Sequence, residues 1–129
     1  MKGYTLVWDG CIEGNGYSND KGLAIEPEDQ YNRNIDLSSN TQEMEINQHK
    51  RQIAFERLQI TDDHLMHIIG VAKNDKGKKF YIVKDSGGEY GPYNGYLYMS
   101  EAFFKMKTTA ITLNNKALPE SIKLMMSKK

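Results

Sequence analysis

The chain is 129 residues long, with 17 Lys+Arg balanced by 17 Asp+Glu, so no basic surface for nucleic acid is implied. Its single cysteine, Cys11, excludes an internal disulfide and a cysteine-based zinc cluster. An apolar fraction of 39% with mean hydropathy −0.67 describes a polar chain with a thin core, in which no run approaches the roughly 18 apolar residues of a membrane helix.

In chain order, Gly3 to Asp9 (GYTLVWD) has the aromatic and β-branched content of a strand. So close to the first residue, it is expected at a sheet edge, or in a chain whose upstream part lies elsewhere. The apolar run before Asp9 is too short for a signal peptide, so no export signal is expected and a cytoplasmic location is. Residues 10–40 form a long irregular excursion punctuated by Gly10, Gly14, Gly16 and Gly22, with Leu23-Ala24-Ile25 as one short strand; it is expected to be either a surface loop or a lining for something else. Thr41 to Ile60 reads as helical, with Thr41 as a candidate cap and Glu43 and Glu45 in the first turn; the broken apolar face of Met44, Ile46, Ile53, Phe55 and Leu58 favours one short helix, or two, over one long one.

Leu65 to Ala72 (LMHIIGVA) is a nearly continuous apolar run, the pattern of a strand buried on both faces. Asn74-Asp75-Lys76-Gly77 is a hairpin turn and Phe80 to Asp85 the return strand. A glycine-rich loop, Ser86 to Asn94, leads to a third strand, Gly95 to Met99. Ser100 caps a helical turn over Glu101 to Met106, and Thr108 to Leu113 is a fourth strand. Residues 119–129 form a C-terminal helix and tail, with Pro119 at its start and Lys128 and Lys129 at its end. The fold class is α+β: an antiparallel meander with one helical segment before it and a short helix after it, either a polar single domain or part of something larger.

Chemistry concentrates at one end of the hairpin. His64 precedes the apolar strand and Asp85 ends its partner, so the two can meet at one end of adjacent strands. A histidine beside a carboxylate is the orienting half of a nucleophilic catalytic set, with the acceptor holding Nδ1–H and leaving Nε2 to act. The same spacing also suits a plain structural contact. His67 faces the other side of a regular strand and reads as a satisfied core histidine, and His49 reads as solvated on a polar helix. Cys11 sits in a turn after a strand, where nothing stabilises a thiolate. The glycine loop lacks the GxxxxGK[ST] phosphate pattern, so no nucleotide cofactor is expected. Tyr81, Tyr90, Tyr93, Tyr96 and Tyr98 read as packing rather than as a base-stacking face.

Three segments carry a resemblance. Asp63 to Val71, Tyr81-Ile82-Val83-Lys84-Asp85-Ser86-Gly87-Gly88 and Asn94-Gly95-Tyr96-Leu97-Tyr98-Met99-Ser100 together resemble the C-terminal half of papain-like cysteine peptidases, in the bleomycin hydrolase and aminopeptidase C branch. Val7-Trp8-Asp9-Gly10-Cys11 and Gly22-Leu23-Ala24-Ile25 are similar to the segments that precede the histidine in that branch. The resemblance implies an antiparallel half-barrel, the right-hand lobe of the papain-like fold, in a single partial domain over residues 1–129, with His64 as the general base and Asp85 where the family has an orienting asparagine. Gly87 stands where the V-x-N-S-W-G motif has a shielding tryptophan. A carboxylate at Asp85 favours the imidazolium form, and loss of the tryptophan leaves the contact wetter. The family's Q-x-G-x-C-W segment, which carries the nucleophile, has no counterpart here, and Cys11 matches a non-catalytic position.

Two functions follow from the resemblance. One is a split or truncated cysteine aminopeptidase that takes peptide substrate once an N-terminal lobe completes it, and is inactive alone. The other is a degenerate, non-enzymatic β-rich module that at most binds a peptide or protein partner. The family's C-terminal arm enters its own cleft within a hexamer; residues 121–129 do not match that arm, so a homo-oligomer remains an open expectation. No metal or organic cofactor is implied, and neither nucleic acid nor membrane is a partner.

Overall fold

The computed structural model describes residues 4–89 and 91–127. Its framework is one seven-stranded sheet: β1 (Leu6–Gly10), β2 (Tyr17–Ser18), β3 (Leu23–Ala24), β4 (His64–Lys73), β5 (Lys79–Asp85), β6 (Tyr96–Ser100) and β7 (Thr108–Leu113). The spatial order is β2-β3-β6-β5-β4-β1-β7. Three α-helices accompany it: α1 (Gln48–Glu56), α2 (Glu101–Lys107) and α3 (Glu120–Ser127). The α+β class therefore holds, with β4-β5-β6 as the meander. One pair, β3 with β6, is parallel, so the sheet is mixed.

The hairpin forms where its turn chemistry directs. Asn74 Oδ1 accepts from the backbone N–H of Lys76 at 3.0 Å and of Lys78 at 2.9 Å, and Gly77 takes the left-handed backbone (φ 79°). α2 starts at its expected cap, with Ser100 Oγ accepting from Phe103 N–H at 3.1 Å. It lays Phe103 on the core face of the sheet, in one cluster with Trp8, Ala24, Met66, Ile68, Val83, Leu97 and Met99. The indole N–H of Trp8 donates to Thr108 Oγ1 at 2.8 Å, so the ring is buried without an orphaned donor.

Four expectations change. β1 is not an edge strand: β7 returns to pair with it, leaving β1 between β4 and β7. β4 is buried on one face only. Met66 and Ile68 point into the core, while Leu65, His67 and Ile69 are exposed. Among the described residues, the buried cluster on the other face of the sheet lies near the turn, where Leu37 and Ile25 pack over Phe80. The excursion supplies that cover. It also contributes β2 and β3, so it is part of the sheet rather than a surface loop.

The fourth change is the helix, which begins at Asn47 rather than Thr41. Asn47 Oδ1 accepts from Lys50 N–H at 2.8 Å. Residues 41–47 stay extended because Glu43 is anchored elsewhere. Its carboxylate accepts from Glu26 N–H and from the Ser100 hydroxyl, both at 2.6 Å, and pairs with the Lys78 ammonium. Lys128 and Lys129, expected to complete the last helix, lie outside the described residues, as does Tyr90.

Behind this anchor Glu26 is buried, and its Oε2 has no hydrogen-bond partner among the described residues. Burial raises its pKa to about 7, against the pull of Lys107 and with the push of Glu43. The protonated form carries no charge to desolvate, so the charge penalty of Glu26 is absent below pH 4.5, its ordinary value, and grows as pH rises to about 7. Urea unfolding at several pH values is expected to show stability falling by about 3 kcal/mol across that interval. Glu26→Gln is expected to remove that part of the slope; an unchanged slope would show that Glu26 is not its source.

Candidate active site

His64 and Asp85 meet, and the way they meet depends on one residue. The ladder between β4 and β5 starts at the turn with Lys73 opposite Lys79. Continued without a break, it would set His67 opposite Asp85 and turn both away from His64. A β-bulge between Ile68 and Gly70 absorbs Ile69 and shifts the register, so that Met66 faces Asp85. His64, two residues before Met66, shares its face. His67 is turned outward, exposed, with Nε2 2.8 Å from Thr5 Oγ1. It is therefore not the core histidine that its apolar neighbours suggest. His49 is exposed on α1, as expected.

The contact is between His64 Nε2 and Asp85 Oδ1, at 2.7 Å, with side-chain exposures of 21% and 1%. An ionised carboxylate only accepts hydrogen bonds, so Nε2 carries the hydrogen. This reverses the expected assignment, in which Nδ1 faced the acceptor. Nδ1 has no hydrogen-bond partner among the described residues.

Asp85 is fixed from several directions. Its own N–H donates to Gly95 O at 2.9 Å, tying the end of β5 to the start of β6. Its Oδ1 also accepts from Gly87 N–H at 3.3 Å, and its Oδ2 from the Tyr17 hydroxyl at 3.2 Å. Gly95 itself has φ 86°, and a side chain there would run into the carbonyl of Gly88. The glycines of this loop thus let the chain turn tightly over a buried acid. Ser86, Gly87 and Gly88 are exposed, and Gly87 offers the contact no cover.

Outside the dyad lies an open groove of about 410 Å³ lined by Asp9, Asp62, Asp63, His64, Leu65 and Ser86. Cys11 is not part of it. Its sulfur is buried with Ala54, Ile60 and Met106, 3.6 Å from Asp63 Oδ2 and 3.9 Å from Gln59 O. The His64 ring instead meets Tyr17. Cys11, Glu13 and Asp63 bring their ligand atoms within 4.8 Å of one another, the one such group among the described residues, with Asp63 already engaged by Ile12 N–H at 3.0 Å. Tyr17 is the site residue that the sequence concealed: it lies in a glycine- and asparagine-rich stretch with no pattern pointing to the hairpin.

A buried carboxylate holding one nitrogen of a partly open histidine at the mouth of a groove is an arrangement that nucleophilic hydrolases use. The comparisons agree with that class. The family model described as "Peptidase C1-like family" matches residues 1–129, and the chain belongs to this family. Among solved structures, PepW from Lactobacillus rhamnosis superposes with TM-score 0.58 at 21% identity, over 96% of this chain and 27% of that one. The chain therefore spans about a quarter of that relative's length. No curated protein matches it. No helix among the described residues is long and apolar enough to cross a membrane.

Asp85→Ala removes the acceptor of the His64 Nε2–H, the Tyr17 hydroxyl and the Gly87 N–H and is expected to cost about 2–4 kcal/mol in urea unfolding. Asp85→Asn, which keeps an acceptor for His64, is expected to cost about 1 kcal/mol. Equal losses would mean that the carboxylate's hydrogen bonds do not hold this end of the hairpin.

Proposed function

We infer that the chain is the general-base lobe of a cysteine peptidase of the aminopeptidase C and bleomycin hydrolase type. The 2.7 Å contact between His64 Nε2 and the buried Asp85 carboxylate carries this reading. Asp85 orients the imidazole, and Nδ1 withdraws the proton from a thiol presented across the groove, then returns it to the departing amine. The thiol comes from a second lobe, on the same polypeptide or another, because the sulfur of Cys11 is buried in a different cluster. The three carboxylates of the groove wall, Asp9, Asp62 and Asp63, suit a substrate with a free, positively charged α-amino group, which supports aminopeptidase rather than endopeptidase action. A cytoplasmic setting suits a chain whose only cysteine is unpaired.

A second reading, a degenerate module that binds peptide without cleaving it, is favoured by Gly87, which leaves the dyad without the tryptophan that covers it in the resembling family.

The two separate on one assay. Alone, the 129-residue chain is expected to show no thiol-dependent cleavage of aminoacyl substrates, with Cys11→Ser indistinguishable from wild type. Joined to a lobe bearing the nucleophile, it is expected to gain activity, and His64→Ala is expected to lower kcat/KM by about 10³-fold or more. Activity of the joined form that survives His64→Ala would overturn the general-base assignment; no activity in the joined form would favour the binding module.

A further inference from the structure

Tyr17 approaches the dyad from the far side of the sheet. Its strand, β2, is separated from β5 by β3 and β6. Gly16 makes the approach feasible: Ile25 N–H donates to Gly16 O at 2.9 Å, and a side chain at Gly16 would collide with the Ile25 carbonyl. From there the Tyr17 ring crosses the core face, packs on Phe103 with centroids 6.3 Å apart, and meets the His64 ring edge-on at 6.2 Å and 67°. Its hydroxyl reaches Asp85 Oδ2 at 3.2 Å and lies 3.8 Å from Met66 Sδ.

Hydrogen bonds to both oxygens of a carboxylate restrain rotation about its Cβ–Cγ bond more than bonds to one oxygen. Asp85 has His64 and Gly87 on Oδ1 and Tyr17 on Oδ2, which fixes its plane and the direction in which Oδ1 meets Nε2. The ring also covers a flank of a contact to which Gly87 contributes no side chain. We propose that Tyr17 is a positioning residue for the dyad: through Asp85 it holds His64 in the Nε2–H tautomer, leaving Nδ1 as the base. Its catalytic consequence rests on the general-base reading of His64; its effect on the tautomer does not.

The test is the imidazole ¹⁵N spectrum of His64 in the 129-residue chain, at a pH where the ring is neutral. Wild type is expected to show the Nε2–H tautomer alone, and Tyr17→Phe, which keeps the ring packing, a mixture of both tautomers. Asp85→Asn is the second variant. Its amide oxygen still accepts from Nε2–H and its NH₂ can donate to the Tyr17 hydroxyl, so the wild-type signature is expected to persist. In the enzyme joined to its nucleophile lobe, Tyr17→Phe is expected to lower kcat about tenfold with KM unchanged, the scale of one charge-assisted hydrogen bond. A Tyr17→Phe spectrum identical to wild type would overturn the proposal. A mixed-tautomer spectrum together with full activity of His64→Ala would leave the positioning of the ring in place and overturn the general-base reading instead.

Discussion

One additional residue in β4 decides which histidine meets the buried carboxylate. The side-chain period of a strand is two, so a shift of one position exchanges its faces. Ile69 is that position: on the turn side of the bulge the ladder runs Lys73 to Lys79, and beyond it Ile68 faces Val83 and Met66 faces Asp85. β1 holds the shifted segment in place, pairing Leu6 with Ile68, Trp8 with Met66 and Gly10 with His64. The core depends on the same register, because Met66 and Ile68 enter the cluster around Trp8 and Phe103 only when it is kept. Packing and the candidate site are thus fixed by a single geometric choice.

Burying Asp85 carries a desolvation cost that its hydrogen bonds must offset. His64, Gly87 and Tyr17 supply them from three different segments of the chain, so the acid links β2, β4 and the glycine loop that follows β5. The imidazole is held by one nitrogen and open at the other.

Much of the hairpin was legible in the sequence. Asn74 and Gly77 identify the turn, Ser100 starts α2, and the order of motifs around His64 and Asp85 identifies the family before any coordinates. The rest depended on tertiary terms with no local signal. The apolar run of β4 suggests burial on two faces, yet Leu65 and Ile69 on its outer face are exposed. Glu43 looked like a first-turn helix acid, but its bonds to Glu26, Ser100 and Lys78 hold residues 41–47 extended. β1 lost its edge position because a strand 100 residues away returns to it, Trp8 donating to Thr108 across the join. The bulge at Ile69 left no mark that hairpin counting detects, and the ring nitrogen facing Asp85 was assigned the wrong way round.

The assignment of Nδ1 as the working nitrogen is the central claim. The most direct measurement is a crystal structure of this lobe joined to its nucleophile-bearing partner. The expected result is a cysteine sulfur within hydrogen-bond reach of His64 Nδ1, with Nε2 still on Asp85 Oδ1. A sulfur on Nε2, or a His64 ring released from Asp85 on assembly, would contradict it.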